Sequence, residues 1–184
     1  MKKQGILLYG PPASGKDTVT AALAELRSVY VPFTRLKVGT GKTQGYRMGT
    51  PEEVAGLEER GDVLYSNARY GNIYVVDRPG LQSAMDGDRI PILHLGQVAG
   101  LTAIVDRYPA AWARVLLWCS RETTAARSKE RGDGDTEARL AAWDATERDL
   151  GEDNEVPWDL RVDTEANSPA DTARLIDGLV DSLG

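Results

Sequence analysis

The feature that most restricts this chain is an apolar run that breaks into a glycine loop and then into a helix. Ile6-Leu7-Leu8-Tyr9 is followed by Gly10-Pro11-Pro12-Ala13-Ser14-Gly15-Lys16, and apolar residues then recur at Val19, Ala22, Leu23 and Leu26. The first run reads as a buried strand and Lys16 to Leu26 as an amphipathic helix. Glycines at both ends let the backbone curl so that successive N–H groups and the helix N-terminus face an anion, beside the Lys16 ammonium. Oxygens of a nucleotide phosphate fit that description. The expected contacts of ATP are Gly10, Pro11, Ala13, Ser14, Gly15, Lys16, Asp17 and Thr18, with Lys16 also stabilising charge on the transferring phosphoryl group as a catalytic residue. In the usual motif a Ser or Thr follows the lysine and ligates Mg²⁺. Here Asp17 follows and Thr18 comes next, so both are metal candidates and the spacing leaves the choice open.

The rest of the chain alternates short apolar runs with helix-period segments, the pattern of a parallel sheet covered by helices. Strands are expected at Val29–Phe33, Pro91–Leu95, Arg114–Cys119 and Asp159–Val162. Helices are expected at Gln97–Tyr108, Glu122–Arg131, Thr136 to about Leu150, and Pro169–Leu183 with Ser168 as its cap. Between Thr34 and Arg89 the character changes. Gly39, Gly41 and Gly45 interrupt a polar stretch, Pro51–Arg60 reads as a short helix and Asp62–Val76 as a strand pair. At 184 residues the expectation is one domain, with a core of 1–33 and 90–184 and an insertion of about 34–89. The fold class is α/β.

Composition narrows the partners. A formal charge of −6 argues against an extended nucleic-acid surface, which needs many Lys and Arg. The apolar runs are too short to span a bilayer, and no apolar leader precedes the first strand, so a cytoplasmic protein without membrane contact is expected, as a monomer or homodimer. The single cysteine, Cys119, sits among apolar neighbours and reads as a core residue.

Three further stretches resemble the guanylate kinase family of nucleoside monophosphate kinases. They are Thr34-Arg35 after the second strand, Gly61-Asp62-Val63-Leu64 with Gly71-Asn72-Ile73-Tyr74, and Arg127-Ser128-Lys129-Glu130-Arg131-Gly132 with Glu137-Ala138-Arg139-Leu140 beyond. The resemblance implies a P-loop NTPase-type three-layer domain with a parallel sheet, an acceptor-binding insertion and a short ATP lid at about 127–139. It also implies ATP and Mg²⁺ as cofactors and a small phosphorylated acceptor. Arg35 falls where the family's arginine grips the acceptor phosphate, and Tyr46 and Tyr74 near its phosphate-binding tyrosines. Lys37 or Lys42 stands in for a second acceptor arginine. Arg127, Arg131 and Arg139 are the lid candidates for catalysis, a solvated helix face being the plain alternative.

The family reads guanine with an acid, a hydroxyl and a second acid. The Gly71-Asn72 anchor puts Tyr65, Val76 and about Leu95 there, so all of those readers are missing. Unpaired guanine donors would cost about 1–3 kcal/mol each, which disfavours GMP. Tyr65, Tyr70 and Val76 suit an apolar or stacking wall, and His94 and Gln97 lie at the strand end where ligands of open sheets gather. The leading expectation is an ATP-dependent kinase of a nucleoside monophosphate other than GMP. Gly15-Lys16-Asp17-Thr18 also resembles the ribose 1,5-bisphosphate phosphokinases, which makes a sugar phosphate the second candidate. A catalytically silent binding module is the alternative outside the enzymes.

Overall fold

The computed structural model describes residues 3–69, 71–132, 135–152 and 156–184. Tyr70 of the expected stacking wall, and residues 133 and 134 of the expected lid, lie outside the described residues. Strands β1 (Gln4–Tyr9), β2 (Tyr30–Pro32), β7 (Ile90–Leu95), β8 (Ala111–Trp118) and β9 (Leu160–Asp163) form one parallel sheet in the order β2-β7-β1-β8-β9. β1 lies at its centre, and its side chains alternate between two cores. Ile6 and Leu8 pack with α1 (Lys16–Leu26) and α7 (Pro169–Leu183), through Val19, Leu23, Ile176 and Val180. Leu7 and Tyr9 pack on the other face with α3 (Arg78–Ala84) and α4 (Val98–Arg107), through Leu81, Leu101 and Ile104. Both faces of the strand are covered, which is why it reads as an unbroken apolar run.

Gly5 shows how tightly the second core closes. A Cβ there would overlap the ring of buried Trp112 on β8. Gly5→Ala is expected to lower stability by about 3 kcal/mol, seen as a lower denaturant midpoint at an unchanged m-value.

Between β2 and β7 the chain leaves this sheet and builds a second one, in the order β4-β3-β6-β5. It comprises β3 (Arg35–Val38), β4 (Tyr46–Met48), β5 (Val63–Arg69) and β6 (Asn72–Asp77). α2 (Pro51–Glu59) covers it through Val54 and Leu57 against Leu36 and Val75. The stretch expected to be merely polar and glycine-broken therefore holds two strands, β3 and β4, and the sequence reading also missed α3. These elements are short, and β3 places charged residues on the face away from the small core, so no apolar period announces it. α3 is nucleated by Asp77, whose carboxylate accepts from Gly80 N at 2.8 Å and also holds Arg47.

α5 (Arg121–Glu130) and α6 (Thr136–Glu152) follow β8. Ser120 caps α5 and Ser168 caps α7, each side chain accepting from the amide three residues on. Among the described residues no helix is long and apolar enough to cross a membrane.

Candidate active site

A cleft of about 890 Å³ opens at the carboxyl ends of β1 and β7, between the second sheet and α6. This is where ligands of open α/β sheets bind. Gly10, Pro12, Lys16 and Asp17 line one end. Arg35, Lys42, Tyr46, Tyr65, Asn67, Arg69 and Tyr74 line the other, with His94, Leu95, Gly96 and Gln97 along the floor.

The glycine loop is built as its composition requires. Gly10 (φ 155), Ala13 (φ 60) and Gly15 (φ 86) all take positive φ, and Ser14 is fully buried. A side chain at residue 10 would also collide with the Leu117 carbonyl beneath it. Pro11 completes the turn. Lys16 Nζ folds back over the loop, donating to Gly10 O at 2.7 Å, Pro11 O at 2.8 Å and Ser14 Oγ at 3.2 Å. Burial pushes the Lys16 ammonium down to about 8, with Asp17 opposing the shift. α1 has no side-chain cap, whereas Thr50, Asp77, Ser120 and Ser168 cap α2, α3, α5 and α7. Its first amides are left for an anion.

Asp17 and Thr18 part company in the structure. Asp17 lines the cleft with its Oδ1 3.5 Å from His94 Nδ1. Thr18 is exposed and is not among the lining residues. Among the described residues no cluster of three or more His, Cys, Asp or Glu could enclose a metal. Asp17 is the carboxylate beside the loop that could contribute to a metal site.

Arg35 is the unusual cation of the cleft. No hydrogen bond or ion pair holds its guanidinium among the described residues; its electrostatic neighbours are the phenols of Tyr65, Tyr46 and Tyr74. Burial holds it below the usual arginine range, with those rings opposing. Tyr46 and Tyr74 stack at a tilt, their centroids 5.4 Å apart.

Lys37 needs a correction. Rather than facing the cleft, it is buried, donates to Thr40 O at 2.7 Å and Lys42 O at 2.8 Å, and lies over the Tyr46 and Tyr74 rings. It props the 40–42 loop and backs the tyrosine pair. Of the two lysines weighed as a second acceptor cation, Lys42 is the one that lines the cleft.

His94 and Gln97 both line the floor. Thr20 Oγ1 lies 2.7 Å from His94 Nε2, which orients the ring. Burial first, then Lys16 and Arg35, push the imidazole down to about 4, so it is neutral at physiological pH and lies in the field of both cations. Tyr65 donates to Gln97 Oε1 across the cleft, its ring pressed on Gly100, where a Cβ would come within 2.8 Å. Val76 is fully buried and forms no wall of the cleft; opposite Tyr65 in the register it shares that residue's face of the sheet and packs in the core with it.

The lid arginines are also placed differently from expectation. Arg127 donates to Ala13 O at 2.9 Å and to Thr164 O at 2.9 Å, bracing the glycine loop from behind. Arg131 donates along its own helix to Arg127 O, and Arg139 pairs with Asp135 at 3.0 Å. None of the three lines the cleft. α6 instead supplies Ala142, Ala145, Thr146, Arg148 and Asp149, a face at helical spacing that the sequence reading overlooked.

No protein-family model matches the sequence, and no curated protein matches it. A solved structure does: the crystal structure of guanylate kinase from Anaplasma phagocytophilum superposes with a TM-score of 0.65 over 99% of this chain and 87% of that one. This chain has a guanylate kinase-like fold. At 17% identity, the shared property is the fold. The guanylate kinase-like order of strands and second sheet is what places the loop, Arg35 and His94 around one cleft.

Proposed function

We propose that the protein is an ATP-dependent kinase that passes the γ-phosphate to a small molecule already carrying a phosphate. The observation that carries this reading is the pair of cations at the two ends of one cleft. Lys16, over an uncapped glycine loop, serves the donor phosphates, and Arg35, with no protein anion to hold it, serves the acceptor phosphate. Phosphoryl transfer needs alignment and charge neutralisation more than proton chemistry, and the lining supplies cations and a neutral histidine between them. Guanylate kinase-like architecture supports the same class of reaction.

Gly10 to Asp17 would hold ATP, with the insertion of residues 34–89 binding the acceptor and Asp17 serving as the protein ligand of Mg²⁺. Bound there, the metal supplies neutralising charge to the phosphate oxygens. Arg127 acts by fixing the loop, and Arg148 is the cation that α6 presents to the cleft, where Arg131 and Arg139 do not line it.

The acceptor assigned first is a nucleoside monophosphate other than GMP. Leu95 lacks a polar group, Val76 is buried in the core, and the Tyr65 phenol is spent on Gln97. That same Tyr65–Gln97 bridge shortens the acceptor end and supports a sugar phosphate as the second reading. ADP release measured against nucleoside monophosphates and phosphorylated sugars separates them. Release with none of these acceptors would refute the kinase.

The Lys16 amine gives a pH test. Its charged form binds phosphate, and its pKa of about 8 means that charge is lost as pH rises through that value. Affinity for Mg·ATP is expected to be level below pH 7 and to weaken about tenfold per pH unit well above the pKa. Titrations from pH 6 to 9.5 read this directly.

A further inference from the structure

The carboxylates that read a base in guanylate kinases have no counterpart at Tyr65 or Leu95, yet one carboxylate reaches this end of the cleft from another element. Asp149 of α6 lines the cleft with Tyr65 and Gln97. Its Oδ2 is fully engaged, accepting from Tyr9 Oη at 2.6 Å and from Val98 N at 2.8 Å. These bonds come from the last residue of β1 and the first turn of α4, a helix whose N-cap Gln97 supplies no side-chain bond. The two anchors hold the carboxylate in place at the start of α4. Tyr9, held above the ordinary phenol range by burial and by Asp149, stays a donor.

Oδ1 is left over. It accepts no hydrogen bond from any described residue, and it is not among the occluded unpartnered atoms. A carboxylate oxygen held in place in a cleft is an acceptor with nothing to accept. Tyr65, Arg35 and Asp149 line the same cleft, and the Tyr65 phenol feels both charges.

We infer that Asp149 is a specificity residue whose Oδ1 accepts a hydrogen bond from an N–H or O–H group on the non-phosphate end of the acceptor. The inference rests on the kinase reading of the cleft. It assigns the acceptor class: a phosphomonoester with a donor group beyond its phosphate, whether the exocyclic amine of AMP or CMP or a hydroxyl of a sugar phosphate.

Asp149→Asn tests it, because the amide oxygen keeps the bonds from Tyr9 and Val98 while an NH₂ replaces Oδ1 toward the acceptor. With AMP, CMP and ribose 1,5-bisphosphate as probes, KM for whichever the parent protein uses is expected to rise about 10- to 100-fold. KM for Mg·ATP and the melting temperature should stay put. Tyr9→Phe, which loosens the anchor but leaves Oδ1, should move the acceptor KM less than about threefold, within the small cost of one hydrogen bond. Asp149→Ser, too short to reach the acceptor, is held to the same KM criterion if the asparagine variant fails to fold. An unchanged acceptor KM overturns the inference, as does an equal rise in the KM for Mg·ATP. A Tyr9→Phe variant that reproduces the whole effect overturns it too, by reducing Asp149 to a strap. If the parent protein shows no thermal stabilisation by Mg·ATP, the kinase reading itself falls and takes the inference with it.

Discussion

Lys16→Ala is expected to lower the turnover number by about 10³-fold, the largest effect of any single substitution in the cleft. The ammonium sits over the loop on the carbonyls of Gly10 and Pro11 and on Ser14 Oγ, so it is already in place before a ligand arrives. A preorganised charge acts on the transition state without reorganising, and water entering the alanine variant cannot reproduce it. The fold should survive, because the freed carbonyls face the cleft and can be hydrated; a stability loss of about 1 kcal/mol is expected. Steady-state turnover and a denaturant melt on the same preparation separate the two effects. A variant as active as its parent would show that the loop does not serve the reaction.

The second large effect belongs to Arg35, and it has two opposite signs. Arg35→Met is expected to raise the acceptor KM by about 30- to 1000-fold, since the acceptor phosphate loses the charge that meets it. The same substitution is expected to stabilise the free protein by about 1 kcal/mol. In the absence of ligand the guanidinium is buried among three phenols with no anion, and burial disfavours its charge. A structural arginine would behave in the reverse way, with stability falling and KM unmoved. Arg35→Lys should recover part of the KM, since the charge returns without the planar fork. The readouts are acceptor KM and melting temperature.

These two residues also mark what the sequence makes legible. The core strands and α1, α4 and α7 are readable because burial on both faces of a sheet, or on one stripe of a helix, demands apolar runs of fixed period. The glycine loop is readable because positive φ at residues 10 and 15 calls for glycine. Arg35, Tyr46, Tyr65, Tyr74, His94 and Gln97, singled out from the sequence, do come together around one cleft.

The misses have a common cause in contacts that spacing does not encode. Lys37 alternates correctly for a cleft-facing residue two positions after Arg35, but the carbonyls of Thr40 and Lys42 hold its ammonium in the 40–42 loop, against the Tyr46 and Tyr74 rings. β3 and β4 carry their apolar contribution in single residues, such as Leu36, and show no period. Asp149 acquires its place from Tyr9 and Val98, separated from it by 140 and 51 residues. Arg127 reads like a lid cation and braces the loop instead, because α5 packs directly behind Ala13.

The central claim is that the loop after β1 receives the phosphates of a nucleotide, and calorimetric titration of Mg·ATP into the parent protein at pH 7 tests it most directly. One molecule bound per chain, with binding lost in Lys16→Ala, is the result the account predicts. No heat of binding to the parent protein, or equal binding by the variant, would contradict it.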